Sequence, residues 1–181
     1  MIDLPGVSYY FAILSLCCSI HLGGMRKPSL FSVVIGTGFG SGFSPVAPGT
    51  MGALLATLVW FGLSYLVSDI CLLWLTVVLI LAFTPAGIWA ADSLEAYWGK
   101  DPSRVVVDEM IGVWIPLLAA PAGHVWYALG AFVLFRLFDI FKPLGIRRME
   151  RFPGGVGVMA DDILAGVYAF IVLIAARWLI G

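Results

Sequence analysis

Four stretches of this chain hold residues whose types and spacing could do chemistry. Asp108 and Glu109 are adjacent carboxylates placed directly before the uncharged run Met110 to Ala120. One acid would be enough to match the positive end of a helix dipole. Two at the mouth of an apolar helix are costly unless something compensates them, and a divalent cation would do so. Asp161 and Asp162 repeat the pattern after the glycine-rich turn Gly154-Gly155-Val156-Gly157, opening the last apolar run. Carboxylate oxygens of this kind suit Mg²⁺, which keeps several waters for a substrate phosphate. The bland alternative for each pair is a helix cap.

The third stretch is Arg136-Leu-Phe-Asp139-Ile-Phe-Lys142-Pro143. Its charged residues recur at i, i+3 and i+6 and so project along roughly one helical face. A salt-bridge ladder and a site for anionic headgroups or a substrate phosphate both fit that spacing. The fourth is the loop Gly36 to Thr50, with glycine at every second position from Gly36 to Gly42. Glycine lets backbone N–H groups approach an anion closely, which makes Gly40, Gly42, Ser44 and Thr50 candidate phosphate contacts. Thr50 is placed to cap a helix beginning at Met51. The same glycines also fit G-x-x-x-G helix packing, but Pro45 and Pro48 break a helix here and favour a loop.

Much of the usual nucleophilic machinery is missing. There is no G-x-S-x-G elbow, no D-x-D-x-T phosphoenzyme motif and no Cys-His pair, and His21 and His124 stand alone. Cys17, Cys18 and Cys71 lie in apolar runs, show no C-x-x-C spacing and read as small hydrophobes. What survives is metal-assisted hydrolysis, with carboxylate-held Mg²⁺ activating water while Arg or Lys steadies the transferring group.

The elements that must position these groups are apolar helices. Of the 181 residues, 61% are hydrophobic and only 12% charged, against roughly a quarter charged in a soluble domain. Mean hydropathy is +1.03. Lipid is the natural solvent for such a chain, and a net charge of −1 gives no basic excess toward nucleic acid. Met51 to Val67 and Ile70 to Ala91 read as a helical hairpin around Ser68-Asp69, each half near the length that spans hydrocarbon. Met110 to Ala120 and Val125 to Phe135 form a second, shorter pair around Pro121 to His124, and Ile163 to Ala176 is a last apolar helix. The expected fold is an all-α polytopic bundle with its glycine loop and acids at one face. Sixteen of the 21 charged residues lie between Asp92 and Asp162, and the basic ones among them mark that face as cytoplasmic. Residues 1–30 form a separate N-terminal apolar segment, for which spanning and interfacial placements both stay open, and 31–181 form the membrane-embedded catalytic domain. Oligomeric state is not legible in the sequence.

The segments Gly38 to Thr50, Val107-Asp-Glu-Met-Ile-Gly112, Phe135 to Pro143 and Gly154 to Gly166 together, in order and spacing, closely resemble the phosphatidylglycerophosphatase A family. The resemblance implies a multi-pass enzyme of the bacterial inner membrane, its active site facing the cytoplasm. It implies Mg²⁺-dependent removal of the terminal phosphate from phosphatidylglycerophosphate, with a phosphorylated glycerolipid as substrate and membrane lipids as surroundings. It further implies that Asp108, Glu109, Asp161 and Asp162 are metal-site or catalytic acids, and that Arg136, Asp139 and Lys142 have roles beside them. Gly145 departs from the family's usual second proline after Lys-Pro-Leu, which touches loop rigidity more than chemistry. Two rivals are a small transporter or channel with an acid-lined path, and a CDP-alcohol phosphotransferase. The second needs D-x-x-D-G-x-x-A-R, which Asp161-Asp162 with Ala165-Gly166 does not supply.

Overall fold

The computed structural model describes residues 27–100, 102–143 and 145–180. The first apolar run, Val7 to Gly24, and the question of whether it spans lie outside the described residues, as do Cys17, Cys18 and His21. Among the described residues every regular element is helical: α1 (Leu30–Gly36), α2 (Pro48–Leu63), α3 (Asp69–Trp98), α4 (Val107–Leu117), α5 (Val125–Phe141) and α6 (Gly155–Ile180), with short 3₁₀ turns at Ser41–Phe43 and Ile146–Arg151.

Helix α4 is the centre of the packing, touching α2, α3, α5 and α6. Its 11 residues are buried almost all round, as a core helix with no polar face should be. At about 16 Å it reaches only halfway through hydrocarbon. Among the described residues, α3 and α6 are the two helices long and apolar enough to cross a membrane. Along α3, Ile70, Trp74, Val78, Leu81 and Trp89 form an exposed apolar stripe, which in water would be a liability and in lipid is the expected outer face. The helix runs unbroken through Pro85.

Several boundaries differ from the sequence expectation, each for a local reason. Helix α2 starts at Pro48, so Thr50 lies inside the first turn and is not its cap. Proline is suited to the first helical position, with φ already set and no N–H to leave unpaired. Helix α3 continues past Ala91 to Trp98, carrying Asp92 and Glu95 within it. Helix α6 opens at Gly155, so Asp161 and Asp162 sit about two turns inside it. Helix α5 ends at Phe141, and Lys142 adopts a left-handed φ of 45° as its C-cap, because the following Pro143 disfavours a helical conformation there.

Helices α4 and α6 meet backbone to backbone. A Cβ added at Gly166 would overlap the carbonyl oxygen of Gly112, and one at Gly112 would overlap the Phe135 ring. The glycine-rich stretch after α1 is a loop, as its prolines suggested, with Gly38, Phe39 and Gly40 all at positive φ.

Candidate active site

The acids come together because short stretches of four helices converge at one end of the bundle. The first turn of α4 brings Asp108 and Glu109, the second turn of α6 brings Asp161 and Asp162, the end of α5 brings Arg136, Asp139 and Lys142, and the start of α2 brings Gly49 and Thr50. All nine line one cavity of about 610 Å³. Carboxylate oxygens of Asp108, Glu109 and Asp162 lie within 4.8 Å of one another. Gly49 lies against them, where a Cβ would overlap Glu109 Oε1 and displace that side chain.

This cluster is electrostatically expensive as it stands. Asp108 and Asp162 are buried, and Asp108 Oδ1 and Glu109 Oε2 are both shielded from solvent without a hydrogen-bond partner. Burial pushes the Asp108 carboxyl well above the usual carboxylate range, and the charge of neighbouring Glu109 adds to the push. Burial raises Glu109 as well. Helix α4 is too short to cross a membrane, and both groups sit in its first turn. Three carboxylates this close, with acceptor oxygens unmatched by donors, fit a hard divalent cation in number and type of donor.

Asp161 faces elsewhere. Its Oδ2 accepts a hydrogen bond from Lys142 Nζ at 2.6 Å, while its Oδ1 is buried and unpartnered. Arg136 Nη1 lies 2.7 Å from Asp139 Oδ2, close but without the alignment of a hydrogen bond, and Arg136 Nε has no partner. Of the salt-bridge ladder, one rung is present within α5, between Arg136 and Asp139, whereas Lys142 crosses to Asp161 on α6. The left-handed turn at Lys142 redirects its side chain off the α5 face.

Of the candidate phosphate contacts, Thr50, Arg136 and Lys142 line the cavity, and Gly40, Gly42 and Ser44 do not. Gly42 serves packing, because a Cβ there would overlap the Arg104 carbonyl oxygen. Ser44 Oγ donates to the Val46 carbonyl at 2.9 Å. Residues not singled out from the sequence also line the cavity, among them Glu95, Lys100, Ser103 and Phe152. The polar run Lys100 to Arg104 between two apolar stretches was the available signal. Arg104 anchors that run, its guanidinium 5.8 Å from the Phe43 ring centroid and 5.9 Å from that of Trp98, within cation–π range.

Comparison with known proteins gives a consistent family. The profile described as phosphatidylglycerophosphatase A matches residues 34–177. A protein of Bacteroides thetaiotaomicron named putative phosphatidylinositol-3-phosphatase is 64% identical over 159 residues, covering 87% of this chain and 100% of its own length. The phosphatidylglycerophosphatase A of Escherichia coli is 38% identical over 152 residues, 82% of this chain and 86% of its own. That of Haemophilus influenzae is 38% identical over 162 residues, 85% of this chain and 94% of its own. No solved structure matches.

Proposed function

This chain belongs to the phosphatidylglycerophosphatase A family, and from that premise we propose that it hydrolyses phosphatidylglycerophosphate to phosphatidylglycerol and inorganic phosphate, using Mg²⁺ at the carboxylate cluster. The single observation that carries the reading is the convergence of Asp108, Glu109 and Asp162, with Asp108 Oδ1 and Glu109 Oε2 buried and unmatched. These three would hold the cation. When bound, Mg²⁺ neutralises phosphate charge and lowers the pKa of a bound water. Lys142 and Arg136 present cationic N–H groups to the terminal phosphate, and their pairing with Asp161 and Asp139 keeps them oriented before substrate arrives. Thr50, in the first turn of α2, adds a hydroxyl beside backbone N–H groups that favour an anion. Asp139 and Asp161 act mainly by setting those two cations.

A second substrate reading rests on the name of the Bacteroides relative: a monoester on an inositol lipid, phosphatidylinositol 3-phosphate. Purified protein in detergent should release phosphate from phosphatidylglycerophosphate with Mg²⁺, lose that activity to EDTA and regain it on Mg²⁺ addition. Full activity after exhaustive chelation would remove the metal reading. A higher kcat/KM on phosphatidylinositol 3-phosphate would move the substrate assignment to the inositol lipid.

We further propose a multi-pass placement in the bacterial inner membrane with the cavity open to the cytoplasm. Support comes from the apolar stripe of α3 and from exposed Lys100, Arg104, Arg147, Arg148 and Arg151 at the cavity end. With the native cysteines replaced, single cysteines at Ser103 and Arg148 should both label only from the cytoplasmic side. Labelling from opposite sides would break this placement.

A further inference from the structure

Asp92 stands outside the cavity, yet it holds the start of the helix that carries Asp161 and Asp162. It lies on α3, and its Oδ1 accepts a hydrogen bond from the N–H of Gly155, the first residue of α6. The first N–H groups of a helix have no intrahelical partner, and a carboxylate there also matches the helix dipole. In most helices the cap comes from the residues just before the helix. Here it is supplied by a different helix, 63 positions away in sequence. The fit is close on either side of the bond. Gly154 has φ +62°, and a Cβ there would overlap Asp92 Oδ1; a Cβ at Gly155 would overlap the Ile88 carbonyl oxygen.

Asp162 follows Gly155 by two turns of rigid helix, on the order of 10 Å along the axis. Below the acids, α6 is fixed to α4 through Gly166 and Gly112. Above them, Asp92 makes a polar contact between α3 and the start of α6. Rotation or axial slip of this first turn would carry Asp162 away from Asp108 and Glu109, and Asp161 away from Lys142.

We infer that Asp92 is a positioning residue for the hydrolytic site, setting the register of α6 by capping Gly155 and so holding Asp161 and Asp162 against their partners. The inference rests on the proposed phosphatase reading for its activity readout.

The test compares Asp92→Ala, which removes the acceptor, with Asp92→Asn, whose amide oxygen can still take the Gly155 N–H. Asp92→Ala should lower kcat about tenfold with KM for the lipid nearly unchanged, because the interaction lost is one that orients groups acting in the transition state. Asp92→Asn should retain kcat within about twofold of the parent, a change of less than half a kcal/mol. A second readout needs no turnover. Mg²⁺ should raise the melting temperature of the parent and of Asp92→Asn, and raise it less in Asp92→Ala, as binding to the native state alone requires. If Asp92→Ala does not fold, Asp92→Ser serves in its place, its hydroxyl being too short to reach the Gly155 nitrogen. Parent-like kcat in the variants that cannot cap would overturn the inference. So would equal loss in Asp92→Asn, which would make the charge and not the bond the active feature, or a rise in KM alone, which would make Asp92 a substrate contact. Parent activity that survives chelation would remove the metal reading alone, and the kcat comparison would still decide the role of Asp92.

Discussion

The two ends of the helix bundle treat buried polar groups in opposite ways. At the end away from the acids, polar side chains are matched. Trp60 Nε1 donates to Thr76 Oγ1 at 2.9 Å, Thr76 Oγ1 donates on to the Leu72 carbonyl at 2.7 Å, and Ser64 Oγ accepts from Gly123 N at 3.1 Å. Arg177 Nη1 donates to the Ala119 carbonyl at 3.0 Å. At the cavity end, Asp108 Oδ1, Glu109 Oε2 and Asp161 Oδ1 are buried without partners. An unpaired polar group in a low-dielectric interior costs free energy. The fold matches such groups at one end and leaves three acid oxygens bare at the other, two of them on acids of the proposed cation site.

Exchanging single atoms at each end sharpens that contrast. The largest effect is expected from Asp162→Asn, which keeps shape and hydrogen-bonding capacity but removes one of three converging charges. Turnover should fall at least about a hundredfold, equal to about 2.7 kcal/mol of barrier. Without Mg²⁺, the melting temperature should hold or rise, since one repulsive charge is gone from a crowded set. Asp162 lies two turns inside α6, so a capping role cannot account for a loss of this kind. Parent-like turnover would break the comparison at its active end.

A smaller effect, of a different kind, is expected at the matched end. Thr76→Val would leave Trp60 Nε1 buried without an acceptor, which costs about 1–3 kcal/mol of stability. Turnover per folded molecule should stay at the parent level, as read from activity against the folded fraction in detergent. A specific loss of kcat would mean that the two ends are coupled. The smallest effect belongs to Asp69→Asn, an exposed acid in the first turn of α3, which should leave both turnover and stability near those of the parent.

The acids, the bases and the helical class were legible in the sequence because each carries a local signature. Adjacent carboxylates beside apolar runs are rare enough to stand out, and uncharged runs of helix length have few other readings. Boundaries were less legible. Pro48 rather than Thr50 opens α2, and the glycine-rich turn that suggested a helix start near Asp161 is itself the first turn of α6. Asp92 stood out only as one end of the charged stretch, because its partner is a backbone N–H on another helix and leaves no side-chain pattern to find. The split between Asp161 and its neighbour was also hidden. Consecutive residues on a helix differ by about 100° in direction, so one turns toward Lys142 and the other toward Asp108 and Glu109.

The meeting of Gly112 and Gly166 bears on how this enzyme could be altered. Where two helix backbones touch, there is no layer of side chains to repack, and even one added methyl would have to move a whole helix. The spacing between the two acid pairs is therefore a fixed dimension of the scaffold, closed to gradual adjustment by substitution. The rim has no such constraint, because Lys100, Ser103 and Phe152 reach the cavity from connecting segments outside the helices. A designer seeking a new lipid headgroup, or a lineage drifting toward one, would find the usable variation in those segments while the acid cluster stayed as it is.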